Sequence, residues 1–375
     1  MTSLNLTVGK TFDLSELEDN HIIQLGRGLV ISKEDMLNTV GDYPVYSSSA
    51  TGNGEFGRYG KYMFDDERIT WSIDGGGRLF YRHKHCYSVT NVCGWLKVFN
   101  NLLSTKYVYY NLIYQWQFIK FDYTFKAHPS KIRDIYKIHY LNYDEQLKIV
   151  KQLDIVQQII DLRTQQLSHF DELIKARFVE MFGDLENNTK GWYIQQLEEL
   201  CKISSSKRIY RKEQSDFGVP FLRIADLMDK INNGITKSEL FISAEKYNEL
   251  CLLGLVPKKG DILLTARGTL GKCYIIQNDD KFYFQDGMIT WLSDFSNNIT
   301  ALFLKYLFST DWLQKQINEL QAGSTVAYLS IAMTKKLYIP LPPIDLQNEF
   351  AEFVKQIDKS KFIIENLTAR RLFYA

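Results

Sequence analysis

Two glycine-containing turns are the first places where residue types and spacing could support phosphate chemistry. The stretch ARGTLGKC (Ala266–Cys273) contains the Gly-Lys pair of a phosphate-binding loop. Such a loop needs a glycine where Ala266 stands and a hydroxyl residue where Cys273 stands. The stretch SIDGGGRL (Ser72–Leu79) is glycine-rich, but no long helix follows it to receive a pyrophosphate. We therefore interpret both stretches as turns between two strands.

A second group of reactive side chains lies in RHKHCYSVTNVC, which brings His83, His85, Cys86 and Cys93 close together in sequence. A strand would place His83 and His85 on one face, so a zinc site is conceivable. Zinc ligands usually come in better-spaced pairs, and half-buried strand residues are the preferred interpretation. We accordingly expect no metal and no cofactor.

Motifs of several enzyme classes are missing from the sequence. It contains no G-x-S-x-G, H-E-x-x-H, N-P-P-Y or D-P-P-Y motif, and no Pro-Asp dipeptide followed by E-x-K. Its six histidines form no convincing catalytic pair. The sequence therefore favours a non-catalytic protein.

The composition is that of a soluble globular protein, with 45% hydrophobic and 24% charged residues. A chain of 375 residues has room for two domains or three smaller units. No apolar run is long enough to span a membrane, and the N-terminus does not have the pattern of a signal peptide, so we expect a cytoplasmic location. The five scattered cysteines are interpreted as free thiols.

Two segments should form long helices, because their seam residues recur at alternating steps of three and four. The first seam comprises Ile149, Leu153, Val156, Ile160, Arg163, Leu167, Phe170, Ile174, Arg177 and Met181, with Gly183 as the predicted end of the helix. The second comprises Phe350, Phe353, Ile357, Ser360, Ile364, Leu367 and Arg371, after Pro342 and Pro343. Each seam needs a partner, so we predict that the two helices pair antiparallel. Residues 142–187 carry 5 basic and 9 acidic side chains, which predicts that the first helix faces protein or solvent and not phosphates.

The helices are part of a larger repeat. YKIHYLNYDEQLKIVKQLDIV (Tyr136–Val156) and YIPLPPIDLQNEFAEFVKQID (Tyr338–Asp358) match, with Gln146 and Gln347 at corresponding positions. Earlier in each half, ERITWSIDGGGRLFY (67–81) matches GDILLTARGTLGKCY (260–274). This second match aligns Asp74 with Arg267, and a third pair of matching stretches aligns Trp95 with Trp291. The order of segments indicates a duplicated unit whose contact surfaces have diverged. Each unit continues through a predicted helix (105–121 or 301–320) into an extended segment.

This arrangement resembles the specificity (S) subunits of type I restriction–modification systems. The most specific stretches are YIPLPPIDLQNEFAEFVKQID, GDILLTARGTLGK and ISKEDMLNTVGDYPVYSSSATGNG. The resemblance covers nearly the whole chain. It implies an α+β fold, with two similar globular target-recognition domains separated by a pair of long antiparallel coiled-coil helices. The implied boundaries are 1–141 and 188–341 for the recognition domains, and 142–187 and 342–375 for the helical spacers.

The resemblance also implies a function. Each domain would read one half of a bipartite, asymmetric site in double-stranded DNA. The helices would dock two methyltransferase (M) subunits and, through them, the restriction (R) subunits, so that catalysis belongs to partner chains. The alternatives are a coiled-coil adaptor that spaces two protein-binding domains, and an enzyme with a divergent nuclease or methyltransferase site. The first helix departs from the family pattern because HYLNYDEQ replaces a Pro-Pro opening, and we expect a different entry angle.

Residues that contact DNA are expected in polar loops, because cations and amides hold phosphates while donors and acceptors read base edges. In the first domain these are Lys33, Tyr46, Ser47, Ser48, Asn53, Arg58, Lys61, Asp74 and Arg78. In the second they are Lys207, Arg208, Arg211, Lys212, Arg223, Thr265, Arg267, Lys272, Gln285, Asp286, Ser324 and Thr325. Partner contacts on the helices are expected at Gln146, Leu162, Leu173, Val179 and Gln347.

Overall fold

The computed structural model describes residues 6–49, 52–99, 101–122, 124–321 and 327–372, with side chains described as far as residue 364. The chain divides into two compact units, Met1–Asp161 and Leu162–Ala375. Within the described ranges, no helix is both long and apolar enough to cross a membrane.

The first unit is mainly β-structure with short helices, followed by one long helix. Its strands are β1 (Thr11–Asp13), β2 (Ile23–Arg27), β3 (Tyr43–Tyr46), β4 (Glu55–Tyr59), β5 (Arg68–Ser72), β6 (Leu79–Arg82), β7 (Ser88–Val89), β8 (Cys93–Val98) and β9 (Lys137–His139). Its helices are α1 (Leu14–Asp19), α2 (Lys33–Asn38), α3 (Thr105–Trp116), α4 (Pro129–Ile135) and α5 (Tyr143–Phe182). The boundary between the two units falls within α5, after Asp161.

The second unit repeats this organisation with more helix. Its strands are β10 (Tyr193–Gln196), β11 (Lys202–Ser204), β12 (Gln214–Ser215), β13 (Val219–Leu222), β14 (Phe241–Ile242), β15 (Ile262–Thr265), β16 (Cys273–Ile275), β17 (Tyr283–Phe284), β18 (Ile289–Ser293) and β19 (Tyr338–Leu341). Its helices are α6 (Ile224–Asn233), α7 (Ala244–Leu252), α8 (Ala301–Phe308), α9 (Asp311–Leu320), α10 (Ile331–Lys335) and α11 (Ile344–Leu372). Short 3-10 helices cover Leu197–Glu199 and Arg211–Glu213.

The main sheets of the two units have the same strand order. The first is β2-β8-β5-β6 and the second is β11-β18-β15-β16, and all neighbours in both are antiparallel. Trp95 on β8 lies opposite Thr70 of β5, and Trp291 on β18 lies opposite Leu263 of β15. The predicted match of these two tryptophans is confirmed, as are the β5–β6 and β15–β16 hairpins around the glycine-containing turns.

The smaller sheets share a parallel strand pair. In the first unit β3 runs parallel to β7, with Tyr46 opposite Val89. In the second unit β13 runs parallel to β17, with Leu222 opposite Phe284. Each unit is also closed by its first and last strands, because β1 pairs with β9 and β10 pairs with β19. The repeat seen in sequence is therefore a repeat of topology.

Apolar residues on the inner sheet faces form the cores. Trp71 of β5 is fully buried in the first unit, and its indole Nε1 donates to the Ala127 carbonyl at 2.7 Å. In the second unit, Phe178 and Phe182 of α5 pack on Phe350 of α11, with ring centroids 5.4 and 5.5 Å apart. Each such side chain contributes roughly 1.5–3 kcal/mol on burial, so both long helices are anchored in the core of the second unit.

The long helices follow their predicted seams. All ten seam positions of α5 are buried or half-buried, and so are the five of α11 whose side chains are described. Arg177 donates to Glu349 at 2.8 Å, and Lys361 donates to Asp171. As residue numbers increase along α5, the numbers of the contacting residues on α11 decrease. This confirms antiparallel pairing within the second unit. Gly183, at φ +77°, follows the last residue of α5 as predicted.

Some local predictions were wrong. The helix expected over 105–121 ends at Trp116, and the one expected over 301–320 is two helices, because the Thr310 side chain caps a new start at Asp311. The extended segments before β9 and β19 contain α4 and α10. His83 and His85 follow β6 and are not part of a strand, and their rings stack with centroids 4.5 Å apart.

Candidate nucleic-acid interface

A cavity of about 370 Å³ in the second unit brings together five of the predicted residues. These are Arg208, Arg223, Arg267, Gln285 and Asp286. They come from separate parts of the sequence and from the ends of strands in both four-stranded sheets of the unit. Arg223 follows β13, Gln285 and Asp286 follow the parallel strand β17, and Arg267 lies in the β15–β16 turn.

Each of the three guanidinium groups has a supporting partner. Arg208 Nε donates to Asp286 Oδ2 at 2.8 Å, and this hydrogen bond raises the pKa of Arg208. Arg223 Nε lies 3.6 Å from a carboxylate oxygen of Asp226, while the Arg267 guanidinium lies 4.9 Å from the centre of the Tyr328 ring. The cavity therefore presents positioned cations beside the amides of Gln214 and Gln285 and one carboxylate, a combination suited to phosphates and base edges.

The remaining predicted cations of the second unit are exposed, two of them on the short 3-10 helix Arg211–Glu213. Lys207, Arg211, Lys212 and Lys272 are all exposed. Lys207 Nζ is 4.0 Å from a Glu249 carboxylate oxygen, a distance at which the pair is loose. Long exposed cations of this kind can approach phosphates without the fixed geometry that base readout requires.

In the first unit, predicted residues meet at the β5–β6 turn. The Asp74 backbone N–H donates to Ser48 Oγ at 3.0 Å, and the Asp74 carboxylate pairs with Lys126 at 2.8 Å. Arg78 lines an adjacent cavity of about 520 Å³ together with Gly75. This turn is the counterpart of the turn that carries Arg267 in the second unit, with an anion where the second unit has a cation.

The ends of the parallel strands also differ between the units. The Thr90 N–H donates to the Tyr46 carbonyl at 2.9 Å, and the Gln285 N–H donates to the Leu222 carbonyl at the same distance, which makes these positions equivalent. Just past the ends of the two parallel strands, the first unit has Ser47 and Thr90, and their hydroxyls are 2.8 Å apart. The second unit has Arg223 and Gln285 there. The same backbone arrangement thus carries different hydrogen-bonding groups in the two units.

Four further predicted residues of the first unit lie away from this turn. Lys33 begins α2 and Lys61 is exposed after β4. Asn53 Oδ1 accepts from the Glu55 N–H at 2.9 Å, and Arg58 pairs with the Glu55 carboxylate at 2.7 Å. These local contacts shape the loop between β3 and β4 and its return strand.

Two predicted contacts are corrected by burial. Thr265 is fully buried, and its hydroxyl donates to the Thr269 carbonyl inside the β15–β16 turn. Tyr46 is only 6% exposed, and its ring lies 3.5 Å from the buried Arg82 guanidinium. Both residues shape the surface and are not part of it. Ser324 and Thr325 lie outside the described residues.

Arg82 is a residue that sequence reasoning missed. It is 5% exposed, its Nε donates to Thr70 Oγ1 at 2.9 Å, and its Nη2 has no hydrogen-bond partner among the described residues. Burial lowers the pKa of its guanidinium. The sequence alone could not show that Arg82 lies beneath Tyr46. Successive side chains of a strand point to opposite faces of the sheet, and the sequence does not tell which face holds Arg82.

The helix residues predicted to contact partners fall into two groups. Leu162, Leu173 and Val179 are 63%, 46% and 60% exposed, and they lie off the seam. Gln146 and Gln347 are fully buried and hydrogen-bonded inside their own units. The prediction that these two glutamines contact a partner was wrong, since neither side chain reaches the surface.

Comparisons with known proteins agree with this architecture. The sequence profile described as "Type I restriction modification DNA specificity domain" matches residues 10–169 and 189–371. A type I specificity subunit of Mycoplasma pneumoniae is 25% identical over 358 residues, covering 91% of this chain and 87% of the relative. The specificity subunit of the MjaVIII enzyme of Methanocaldococcus jannaschii is 25% identical, covering 78% of this chain and 72% of the relative.

A solved structure shares the fold. The crystal structure of a type I restriction–modification S subunit from M. genitalium superposes with a TM-score of 0.58 at 16% identity, covering 98% of this chain and 94% of that one. The family profile accounts for most of the chain in two copies, as the duplicated topology requires. The chain therefore belongs to the family of type I restriction–modification DNA specificity proteins.

Proposed function

We propose that this chain is the DNA-recognition subunit of a type I restriction–modification complex, in which each unit reads one half of a bipartite, asymmetric site. The proposal rests on the observation that the two units share one strand arrangement but carry different polar side chains at equivalent positions. Asp74 and Arg267 occupy equivalent positions in the two turns and carry opposite charges. Two such surfaces would select two different base sequences.

Methyl transfer and cleavage belong, in this proposal, to partner chains. Leu162 and Val179 are more than half exposed on α5, and a helix with apolar residues off its seam has surface for a protein partner. The predominantly acidic character of 142–187 disfavours phosphate contact along the same helix. We propose that two M subunits dock on the long helices and that R subunits join through them. Because its DNA substrate is cellular, we place the complex in the cytoplasm.

Footprinting of the chain assembled with its M subunits tests the proposal. We expect protection of two short DNA blocks separated by a constant gap, with different base sequences in the two blocks. An adaptor that spaces two protein-binding domains would protect no DNA at all. Turnover by the purified chain alone with DNA, Mg²⁺ and S-adenosylmethionine would instead identify it as an enzyme.

A further inference from the structure

We propose that Arg208 reads a guanine in the half-site of the second unit, and that Asp286 is the residue that positions it. The inference rests on the proposed function and deepens it, because it assigns one base and the atoms that recognise it. The hydrogen bond between Arg208 Nε and Asp286 Oδ2, at 2.8 Å, is the observation behind it.

Because Asp286 accepts from Nε, the two Nη groups of Arg208 remain available to contact a base. The carboxylate occupies Nε, and among the described residues neither Nη of Arg208 has a hydrogen-bond partner. The Arg208 side chain is 65% exposed, whereas Asp286 is 20% exposed. Guanine offers O6 and N7 side by side in the major groove, and the two Nη groups match them as a bidentate pair.

The backbone of Asp286 is fixed on both sides. The preceding Gln285 N–H donates to the Leu222 carbonyl at 2.9 Å, and the following Gly287 N–H donates to Ser205 Oγ at 3.3 Å. An ion pair as exposed as this one adds little to folding stability. Its effect is to restrict the rotation of Arg208 before DNA arrives, which reduces the entropy lost on binding.

The two other arginines of the cavity are less well oriented. Arg223 Nε is 3.6 Å from Asp226 Oδ2, which is beyond hydrogen-bonding distance, and that oxygen already accepts from the Arg223 backbone N–H at 2.8 Å. Arg267 lies over the Tyr328 ring, and this contact defines the plane of the guanidinium but not its rotation within the plane. Both suit phosphate contacts or weaker base contacts.

The first unit has no acidic residue at the position equivalent to Asp286. Thr90 is equivalent to Gln285, so the residue after it, Asn91, stands where the second unit has Asp286. An asparagine side chain has no negative charge to hold a guanidinium. The guanine contact should therefore belong to one half-site only.

The test uses the full chain assembled with its M subunits and the DNA site that the complex methylates. Each guanine of the site is replaced in turn by 7-deazaguanine, which keeps Watson–Crick pairing but lacks the N7 acceptor. We expect one guanine, in one half-site, at which the replacement weakens binding by the wild-type complex several-fold, because N7 is lost while O6 remains; loss of the whole bidentate contact would weaken binding roughly 5- to 150-fold. With Arg208→Ala the same replacement should have no further effect.

Two further variants separate reading from general affinity. Arg208→Lys keeps the charge but loses the fork that Asp286 orients, so it should bind DNA with unchanged salt dependence and show a reduced sensitivity to 7-deazaguanine. Asp286→Ala should weaken that sensitivity, and Asp286→Asn should restore part of it, because an amide oxygen can still accept from Nε. Lys212→Ala removes an exposed cation of the nearby 3-10 helix Arg211–Glu213; it serves as the matched control and should weaken all sequences alike.

Some results would overturn the inference. If Arg208→Ala weakened binding to every sequence equally, Arg208 would be a phosphate contact. If 7-deazaguanine had the same effect in wild type and Arg208→Ala at every position, another residue would read guanine. A complex without any sequence preference would remove the proposed function itself, and the inference with it.

Discussion

Gln146 and Gln347, one near the start of each long helix, make the same three hydrogen bonds in the two units. The side-chain oxygen of Gln146 accepts from the Ser104 N–H at 2.9 Å, and that of Gln347 accepts from the Thr300 N–H at 2.9 Å. Each amide nitrogen donates to two carbonyls, those of Leu102 and Leu141 in the first unit and those of Asn298 and Pro342 in the second. The glutamines therefore fix each long helix to the residue that caps the neighbouring helix, α3 or α8. The attachment is the same in both units, although only the second has the Pro-Pro opening.

Loss of either glutamine should loosen its own unit. In Gln347→Ala, buried groups around Thr300 lose their partners, at a cost of about 1–3 kcal/mol for each unsatisfied group. Hydrogen exchange should then accelerate over 298–308 in Gln347→Ala and over 101–116 in Gln146→Ala. Equal acceleration in both units for either variant would show that the glutamines are not local attachments.

Asp261 should make the second unit sensitive to pH. Burial raises the pKa of its carboxyl above the ordinary 3.8, although hydrogen bonds from Trp291 Nε1 and the Lys258 N–H oppose this. The native state thus binds the proton more tightly than the unfolded state. The stabilisation is complete below pH 3.8 and is lost as the pH rises through the raised pKa.

Asp261→Asn removes this titration but keeps an oxygen that can accept both hydrogen bonds. We expect its melting temperature, relative to wild type, to increase with pH above 3.8 and to level off once the wild-type carboxyl is ionised. Asp216→Asn, at an exposed position, is the control and should show no such trend, because Asp216 does not contribute to the raised pKa of Asp261. A difference between Asp261→Asn and wild type that does not change with pH would contradict the assignment.

The exposed leucines of α5 should be needed for assembly. Leu162→Glu with Leu173→Glu places two charges where a partner would bury apolar side chains worth roughly 1.5–3 kcal/mol each. We expect co-purification with the M subunit to be lost while circular dichroism stays unchanged. Gln165→Glu with Gln166→Glu adds the same charge at exposed polar positions and should keep assembly. Retention of the M subunit by the leucine variant would exclude this face as the docking surface.

The two units should read independently. Arg267→Ala should relax selection in one half-site, at a cost of about 1–3 kcal/mol if the contact is to a base. Asp74→Ala, at the equivalent turn, should relax the other half-site. Selection of bound sequences from a randomised DNA pool measures both halves in one experiment. If either variant degraded both halves together, the units would form one reading surface.

The long helices should set the gap between half-sites. Helix α5 has 40 residues, which at 1.5 Å per residue is about 60 Å. One heptad inserted after Leu167 and another after Phe362 keep both seams in phase and leave the Asp171–Lys361 ion pair intact. The added length of about 10.5 Å corresponds to about three base pairs at 3.4 Å each. We expect the unspecified gap to widen by about two to four base pairs, as measured by sequencing methylated sites. An unchanged gap would exclude the helices as the spacer.

The sequence predicted the features that periodicity encodes. Heptad spacing located both long helices, and hairpin patterns located the β5–β6 and β15–β16 turns, because these depend on neighbours along the chain. The convergence of Arg208 with Asp286, 78 residues apart in the chain, depends on hydrogen bonds between the segments 205–207 and 283–287, and no local sequence pattern predicts them. The sequence also did not predict which polar side chains are exposed. Gln146 and Gln347 are polar residues at a helix start, yet both are buried, and each satisfies three backbone groups.

The most direct test of the central claim is to sequence methylated bases in the DNA of cells that make this chain together with its M subunits. The account predicts one motif of two short, different blocks separated by a gap of constant length. Methylation should disappear when the chain is absent and the M subunits are retained. A single contiguous motif, or methylation that persists without the chain, would contradict the claim that its two units each read half of the site.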